Sequence, residues 1–486
     1  MPTIRAITVN IDPSGEFRMP TLQCIAGLTA CLLLATAPCA GAAETDRVDA
    51  FVRAEMERQK VPGVAVAVIQ KGHVAKVAGY GLANVELNVP VGPTTVFQSG
   101  SLGKQFTAVA VMLQVEDGKL ALDDSIAKFF PGAPSTWQPI TVRHLLTHTS
   151  GIPDYEGGVL DLQRNYTEDE LATFAFGLKP EFSAGARWNY SNTGYVLLGI
   201  IVHKVSGRFY GDVLRDRVFT PLGMRTARII SEEDIVPNRA AGYRLVNGEL
   251  KNQEWVAPLL NTTADGSLYL TALDFVAWDK GIRERAILKP ESWAQIFQPV
   301  RLNSGNAYPY GFGWAIDDYR GQVRQHHSGE WQGFCTYISR YLNDDLTIVV
   351  LDNLAGSKPG RIVDGIAATY NPSLGPAELH PIEDPEPQTA ARLAAILREV
   401  AGGELDRSDF SYVPAGFFPE AAAQYREMLR NESPVTRTEL LERRQVGDDW
   451  AYVYRASFGP KVFTVRFALA SDGKLTSLSL SPEPNQ

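Results

Sequence analysis

Three pairs of a serine and a lysine occur three residues apart in this sequence, at Ser101–Lys104, Ser125–Lys128 and Ser471–Lys474. Such a pair can supply a nucleophilic hydroxyl together with the amine that takes its proton. Because the spacing occurs three times in one chain, it does not identify a catalytic pair by itself. The sequence around each pair is therefore needed to distinguish a catalytic pair from a structural one.

Two of the pairs have a structural explanation. Ser471 and Lys474 enclose Asp-Gly between two alternating, strand-like segments, which predicts a hairpin turn. Ser125 follows two aspartates and precedes an apolar turn, which predicts a helix N-cap. Lys128 is then expected to be a solvated helix residue.

The remaining pair opens the most apolar helix of the chain after the N-terminal segment, which is predicted over residues 106–116 and ends at Asp117-Gly118. Positions i and i+3 of a helix share one face, so Lys104 should lean over the Ser101 hydroxyl. A lysine among apolar residues loses proton affinity and can act as a neutral base. The free N–H groups of a helix N-terminus can stabilise an oxyanion. On this pair alone, however, a capping serine and a surface lysine remain the favoured interpretation.

Two further motifs change that balance: Tyr190-Ser191-Asn192 in ARWNYSNTGY, and His327-Ser328-Gly329 in QHHSGEW. Together with Ser101–Lys104 they resemble the three motifs of the penicillin-recognising, β-lactamase-related serine hydrolases, namely Ser-x-x-Lys, Tyr-x-Asn and Lys/His-x-Gly on a strand. This family includes class C β-lactamases, DD-peptidases, D-aminopeptidases and esterases. The resemblance covers about residues 45–370, and segments such as LLTHTSGIPDY and YGFGW support it.

The resemblance implies an α/β (α+β) fold of the β-lactamase/DD-peptidase type, with an antiparallel sheet flanked by helices and a mainly helical subdomain. The sequence pattern agrees in outline. Residues 64–81 predict two strands joined by a turn at Lys71-Gly72, and residues 309–354 return to strand-like alternation. Residues 120–300 alternate helical segments with loops rich in glycine and proline.

The same resemblance implies the roles of the catalytic residues. Ser101 would attack a carbonyl and form an acyl-enzyme that water hydrolyses. Lys104 would take the hydroxyl proton, and Tyr190 would carry a proton to the leaving group and help to activate water. How these two residues share the role of base stays open. The oxyanion would be bound by the backbone N–H groups of Ser101 and Glu330.

Substrate-binding roles follow for Asn192, which would contact the substrate amide or orient Lys104, and for His327, Ser328 and Gly329, which would line the substrate strand. The histidine replaces a lysine found in many lactamases and is uncharged or only partly charged near neutral pH. Glu330 adds an anionic side chain. Both departures predict weak binding of the carboxylate common to β-lactams and D-Ala-D-Ala termini.

These arguments predict an exported serine hydrolase, a peptidase, amidase or esterase of the DD-peptidase, D-aminopeptidase or esterase type. It would act on small-molecule or peptide substrates, including those that contain D-amino acids. The first alternative is a β-lactamase. An alternative of another class is a non-catalytic binding or scaffold member of the family. The family implies no metal and no cofactor.

Other candidate residues have structural explanations. His144 and His148 have a spacing able to bind a metal, but no HExxH pattern or third ligand accompanies them, so we expect structural roles. A second Tyr-x-Asn at residues 341–343 precedes two aspartates and predicts a turn. Cys335 lies in an alternating strand-like run, where a buried small hydrophobe is expected.

Composition limits the class of protein. Of the 486 residues, 45% are hydrophobic and 21% are charged, which is typical of a folded protein. The formal net charge is −9 and no Lys/Arg-rich run is present, which argues against a nucleic-acid partner.

The N-terminal residues predict export. An apolar segment at about residues 24–37 precedes Ala40-Gly41-Ala42, a small-x-small cleavage pattern. We therefore predict a signal peptide over residues 1–42, with Met19 as an alternative initiator, and a periplasmic or secreted product without a membrane span. A lipoprotein box ending at Cys31 is less favoured, because the strongest apolar stretch follows that cysteine.

The chain after the signal is predicted to have two folded parts. The hydrolase domain is expected over residues 43–371. Residues 372–388 contain five prolines and predict a linker. Residues 389–486 predict a small C-terminal α+β domain, with helices at 389–401 and 419–429 followed by successive antiparallel strands.

Overall fold

The structure, a computed structural model, describes residues 40–155, 160–229, 233–375, 379–411, 413, 417–432 and 434–483. Most of the predicted signal peptide therefore lies outside the described residues. The described residues from Gly41 onward form one compact unit.

The helices and strands of this part of the chain are numbered here in chain order. The α-helices are α1 Ala40–Gln59, α2 Lys104–Glu116, α3 Val142–Leu146, α4 Glu168–Phe176, α5 Asn192–Ser206, α6 Tyr210–Leu214, α7 Thr220–Leu222, α8 Ala272–Arg283, α9 Pro290–Ile296, α10 Pro359–Tyr370, α11 Pro387–Gly402 and α12 Ala422–Leu429. The strands are β1 Gly63–Gln70, β2 His73–Asn84, β3 Val89–Pro90, β4 Phe97–Gln98, β5 Tyr243–Val246, β6 Glu249–Asn252, β7 Tyr269–Leu270, β8 Val300–Arg301, β9 Ala307–Tyr308, β10 Ala315–Tyr319, β11 Gln322–Trp331, β12 Phe334–Tyr341, β13 Leu346–Asp352, β14 Arg437–Val446, β15 Asp449–Phe458, β16 Lys461–Leu469 and β17 Leu475–Pro482.

The largest sheet is antiparallel and has the strand order β10-β11-β12-β13-β1-β2-β3. The predicted hairpin between β1 and β2 is present, and its turn residues Lys71 and Gly72 have φ angles of 52° and 75°. Successive side chains of a strand point to opposite faces of the sheet. Val64, Val66 and Val68 accordingly pack with the α1 and α10 residues of one core. The intervening alanines of β1 join the core that contains α2, α5 and α8.

Helix α2 is buried on every side, which explains its apolar sequence. Its residues from Phe106 to Leu113 are at most 1% exposed. A helix that is surrounded by other elements has no solvated face and needs no polar stripe. The turn that precedes α2 is therefore anchored in the middle of the larger core.

A second helix N-terminus lies beside it. Ser191 caps α5, with its Oγ accepting a hydrogen bond from Gly194 N at 3.2 Å. Gly207 ends α5 in the left-handed conformation, with φ 71°. The Tyr-Ser-Asn motif thus lies where an extended segment enters α5, and this position fixes the direction in which the tyrosine points.

The C-terminal strands form a sheet of their own in the order β14-β15-β16-β17. One face of this sheet packs on α11 and α12, through side chains such as Leu397, Leu429, Tyr454 and Phe467. These helices and strands agree in type and order with those expected. Of the predicted linker, residues 376–378 lie outside the described part, and its last two residues already belong to α11.

The two Ser-x-x-Lys pairs set aside from the sequence take different places. Ser471–Lys474 forms the turn between β16 and β17, as predicted, with Gly473 at φ 77°. The predicted capping role of Ser125 is wrong. Its hydroxyl makes no cap and lies 3.5 Å from Trp137 O, because only a single turn follows it instead of a helix. Lys128 is exposed, as expected.

No helix within the described ranges combines the length and the apolar character that crossing a membrane requires.

A buried carboxyl group lies at the end of β13. Asp352 accepts hydrogen bonds from Leu354 N at 3.1 Å and Ser357 Oγ at 2.7 Å. Burial raises its pKa from 3.8 to about 7, and the charge of Glu330 acts in the same direction. The folded protein therefore binds a proton here between about pH 4 and pH 7 that the unfolded chain releases.

We expect this carboxyl to make the protein less stable as the pH rises from about 4 to about 7, because unfolding then releases the proton. A shift of this size corresponds to about 4 kcal/mol at most. Asp352→Asn should therefore gain stability relative to the wild type between pH 5 and pH 8, as measured by urea unfolding at both values. A stability difference that stays constant across this range would contradict the prediction.

Candidate active site

Ser101 lies in the four-residue turn that leads into α2, and three glycines bring other backbone segments against it. A Cβ atom on Gly100, which has φ +50°, would lie 2.5 Å from the amide nitrogen of Glu330. A Cβ on Gly329 would lie 2.9 Å from the amide nitrogen of Ser101, and one on Gly266 would lie 2.7 Å from the Gly100 carbonyl carbon. Any side chain at these positions would push the segments apart. The amides of Ser101 and Glu330 are therefore held close together.

Lys104 carries a fully buried amine to this turn. Its Nζ donates to Asn192 Oδ1 at 2.6 Å and to the carbonyl oxygen of Asp265, and it lies 2.9 Å from Ser101 Oγ. The first two partners are oxygens that can only accept, so they take two N–H groups of the amine. In the neutral amine the lone pair is left to face Ser101. This is the geometry that a base for the Ser101 proton requires.

Tyr190 completes the group around the serine. Its hydroxyl lies 2.7 Å from Ser101 Oγ, and Lys104 Nζ lies 4.9 Å from the centre of its ring. The ring packs against the His148 imidazole, with the two centroids 4.3 Å apart. Asn192 N, two residues further on, donates to Asp154 Oδ2 at 2.7 Å. The position of Tyr190 is thus restricted both by the contact of its ring with His148 and by the hydrogen bond of the Asn192 backbone.

Behind Tyr190 runs a buried chain of hydrogen bonds with a defined direction. Ser191 N donates to His148 Nδ1 at 3.1 Å, so His148 carries its proton on Nε2 and donates it to Tyr310 Oη at 3.1 Å. Tyr310 Oη lies 2.9 Å from His327 Nε2. The other nitrogen of His327 lies 2.6 Å from Ser328 O, which can only accept. His327 is therefore protonated on Nδ1 and receives the Tyr310 hydroxyl proton on Nε2.

Both histidines of this chain are neutral. Burial lowers the pKa of His148 well below its ordinary value, and the nearby Lys104 acts in the same direction. Burial, with the same lysine, lowers the pKa of His327 to about 3. His327 thus lines the cavity as an uncharged residue whose two ring nitrogens are engaged by the protein. It does not supply the positive charge of the lysine that it replaces.

The strand β11 places the remaining predicted residues. Ser328 is exposed, and Gly329 is buried against the serine turn. Glu330 was expected to bring a negative charge beside the oxyanion position. Its amide does lie there, and its carboxylate accepts a hydrogen bond from Gly356 N at 2.8 Å.

These groups line a cavity of about 950 Å³. Seven of the eight predicted site residues line it, namely Ser101, Tyr190, Asn192, His327, Ser328, Gly329 and Glu330. The eighth, Lys104, lies behind Ser101. Trp188 and Tyr308 add an aromatic wall, stacked with centroids 4.4 Å apart and ring planes 11° apart.

Three features of the site were not predicted from the sequence. The Asp265 carbonyl that binds Lys104 is a main-chain group, which leaves no side-chain pattern to find. Tyr310 belongs to the YGFGW segment, which had been noted without a role. The third is the stack of Trp188 on Tyr308, which joins residues far apart in the chain.

The two histidines considered for a metal are both engaged within the protein. His144 Nδ1 accepts from Thr141 N at 3.1 Å at the start of α3, and His148 belongs to the chain of hydrogen bonds described above. Among the described residues, no group of three or more His, Cys, Asp or Glu is arranged to hold a metal ion. Cys335 is buried in β12, as expected.

Comparison with known proteins gives a consistent match. Residues 48–369 match the family model described as Beta-lactamase. Penicillin-binding protein 4* of Bacillus subtilis is 31% identical over 315 residues, which cover 61% of this chain and 69% of that protein. The D-aminopeptidase of Gluconobacter oxydans is 28% identical, over 63% of this chain and 58% of that protein. The match thus spans less than two thirds of that relative's length.

Solved structures extend the similarity. The octameric penicillin-binding protein homologue from Pyrococcus abyssi has a TM-score of 0.59 and 27% identity, and the match covers 90% of this chain and 96% of that one. The D-amino acid amidase from Ochrobactrum anthropi SV3, complexed with L-phenylalanine, has a TM-score of 0.60 and 25% identity. That match covers 68% of this chain and 99% of the amidase.

The hydrogen-bond chain predicts the tautomers of two buried histidines. Between pH 5 and pH 9 we expect His148 to stay neutral with its proton on Nε2, and His327 to stay neutral with its proton on Nδ1. Two-dimensional ¹⁵N–¹H NMR of the imidazole rings distinguishes these tautomers, and His327→Gln assigns the second signal. A His327 ring that gains a second proton within this range would contradict the arrangement.

Proposed function

We propose that this chain, which belongs to the β-lactamase family, is an exported serine hydrolase that cleaves amide or ester bonds through an acyl-enzyme on Ser101. The observation that carries the proposal is the convergence of a hydroxyl, an amine and a phenol. Ser101 Oγ lies 2.9 Å from Lys104 Nζ and 2.7 Å from Tyr190 Oη. The three residues come from two segments that are far apart in the sequence.

The acylation step follows from this geometry. Lys104 in its neutral form accepts the Ser101 proton while Oγ bonds to the substrate carbonyl carbon. The amides of Ser101 and Glu330 bind the oxyanion, and such a donor contributes roughly 3 kcal/mol to the transition state. Tyr190 delivers a proton to the leaving amine or alcohol, and the carbonyl–leaving-group bond breaks. The proton that Lys104 took from Ser101 then restores the Tyr190 hydroxyl, so both residues are neutral in the acyl-enzyme.

Deacylation reverses these roles. A water molecule takes the place of the leaving group beside Tyr190. As the water attacks the acyl carbon, Tyr190 accepts the water's proton and passes its own hydroxyl proton to the neutral amine of Lys104. The same two amides bind the second oxyanion, and Ser101 Oγ takes the proton back from Lys104 Nζ, 2.9 Å away, when the acyl bond breaks. Asn192 keeps Lys104 in place through its 2.6 Å contact with the amine.

The neutral state of His327 bears on the substrate. A residue without charge at this position gives a substrate carboxylate no electrostatic attraction there. This supports a peptidase, amidase or esterase over an efficient β-lactamase. The relatives named as D-aminopeptidase and D-amino acid amidase support acyl groups that contain D-amino acids.

The export part of the proposal rests on the sequence. The apolar segment at residues 24–37 and the following Ala-Gly-Ala are typical of a secretory signal. A periplasmic or secreted location follows. N-terminal sequencing of the protein from a bacterial periplasmic fraction would test it, with a mature end near Ala42 as the expected result.

The chain supplies its own matched control for the catalytic assignment. With a D-alanyl p-nitroanilide, whose amine leaving group needs a proton, we expect Ser101→Ala to abolish the acyl-enzyme and Tyr190→Phe to lower kcat/KM by roughly 10²- to 10⁴-fold, as for loss of a general acid or base. Ser125→Ala and Lys128→Met alter a Ser-x-x-Lys pair that does not line the cavity, and both should retain wild-type activity. Intact-protein mass spectrometry with a fluorophosphonate probe reports the adduct, and thermal unfolding reports the fold.

Probe labelling together with a nitrocefin assay distinguishes the proposed hydrolase from a β-lactamase and from a non-catalytic protein. Rapid turnover of nitrocefin by the wild type would favour the β-lactamase reading of the site. Folded wild-type protein that forms no adduct with fluorophosphonate, penicillin or activated esters would favour a non-catalytic binding protein. An adduct on Ser101 with slow nitrocefin turnover is the result we expect.

A further inference from the structure

The tip of the hairpin between β14 and β15 is hydrogen-bonded to the β8–β9 hairpin, next to the cavity-lining residue Tyr308. Gly447 N donates to Ala307 O at 3.2 Å. Asp448 Oδ1 accepts from Ser304 Oγ at 2.6 Å and from Asn306 Nδ2 at 2.7 Å. These three hydrogen bonds, made by two adjacent residues, fix the position of this end of the C-terminal sheet.

The next residue of the tip continues the contact toward the aromatic wall. Asp449 Oδ1 lies 3.6 Å from Arg187 Nη1, and Arg187 directly precedes Trp188. Gly447 has φ 60°, and a Cβ there would lie 3.1 Å from the ring of Tyr308. The hairpin tip therefore lies against the segments that carry both stacked rings.

A row of four residues, three of them with small side chains, crosses the C-terminal sheet on the face opposite its own core. Arg444 pairs with Ala451, Ala451 with Ala468, and Ala468 with Ser477, so one residue comes from each of the four strands. All four line the cavity that contains Ser101. The adjacent residue of β15, Tyr452, points to the other face and packs in the C-terminal core.

Three of the four residues in this row are uncharged. Arg444, at its edge, has its Nε 3.0 Å from Glu442 Oε1, so its charge is partly balanced. The two alanines leave room beside the sheet, and the hydroxyl of Ser477 can hydrogen-bond to a peptide group. Such a surface suits the uncharged backbone and small side chains of an extended chain.

The volume of the cavity also favours an extended substrate. Pockets for drug-sized ligands have volumes of about 300 to 1,000 Å³. At about 950 Å³ this cavity lies near the upper end of that range. A cavity of this size has room for more than a single amino-acid amide at Ser101.

We propose that the row Arg444–Ala451–Ala468–Ser477 is the distal wall of the substrate site, and that the enzyme acts on short peptide acyl groups in preference to single amino-acid derivatives. The inference rests on the proposed hydrolase function. Substrate residues remote from the scissile bond would lie between this row and the aromatic wall. Residues 437–482 would then select the substrate, while the serine site performs the chemistry.

The test uses the full-length chain and two p-nitrophenyl esters, one of acetic acid and one of an N-acetylated tripeptide ending in D-alanine. Ser477→Trp and Ala451→Leu place bulk on the wall. We expect each to lower kcat/KM for the peptide ester at least tenfold, and to change it for the acetyl ester less than twofold. For the wild type, kcat/KM should be at least tenfold higher with the peptide ester.

Arg466→Leu is the matched control. Arg466 lies on the same face of β16 two residues before Ala468, is exposed and does not line the cavity. It should leave both esters within twofold of the wild type, and thermal unfolding should show that all three variants are folded.

The outcomes separate this inference from the function on which it rests. Equal losses for both esters in the wall variants, or no loss with either, would overturn the distal wall while leaving the acyl-enzyme intact. No preference of the wild type for the peptide ester would overturn it as well. Failure of both esters to acylate Ser101 in the wild type would instead overturn the proposed hydrolase.

Discussion

The amine of Lys104 is fully buried between α2 and α5, and the arrangement of the site depends on how it is held there. Burial disfavours a charged amine, and fixed acceptors restrict where its hydrogens point. Asn192 and the Asp265 carbonyl take two of these directions and leave the third for Ser101. Lys128 is exposed instead, and its Nζ donates to the Asp124 carboxylate at 3.1 Å. The two Ser-x-x-Lys pairs therefore differ in burial and in partners, although their spacing is the same.

The second constraint is the close approach of backbones at Gly100, Gly266 and Gly329. Oxyanion binding needs amides that are already in position, since moving them during the reaction would cost energy. Direct contact between the serine turn and β11 holds the amides of Ser101 and Glu330 in this way. The neutral chain through Tyr310 supports the same strand two residues before Gly329, because it ties His327 to His148 and so to the start of α5. The positions of β11 and of the tyrosine motif are thereby coupled without any buried charge.

Local signals explain what could be predicted from the sequence. Turn chemistry placed the β1–β2 hairpin and the Ser471–Lys474 turn, because both depend on residues adjacent in the chain. The apolar run predicted α2 almost to its ends. Resemblance to a family supplied the convergence of distant motifs, which periodicity alone does not provide. The Ser125 cap failed because a capping pattern needs a helix to follow it, and only one turn forms there.

The remaining features depend on tertiary contacts that leave no local pattern. The Asp265 carbonyl would bind Lys104 equally well from another residue type, so the sequence gives no reason to select it. The row from Arg444 to Ser477 consists of residues that are ordinary on any exposed strand, and only the strand register and the docking of the hairpin tip bring it to the cavity.

The family match ends at residue 369, whereas this row lies between residues 437 and 482. The wall belongs to a sheet with its own core on its other face, so side chains on the cavity face can change in size without disturbing that core. The proposed reaction groups are held by α2, α5 and β11. A change of substrate preference therefore does not require any change in the groups that form and hydrolyse the acyl-enzyme.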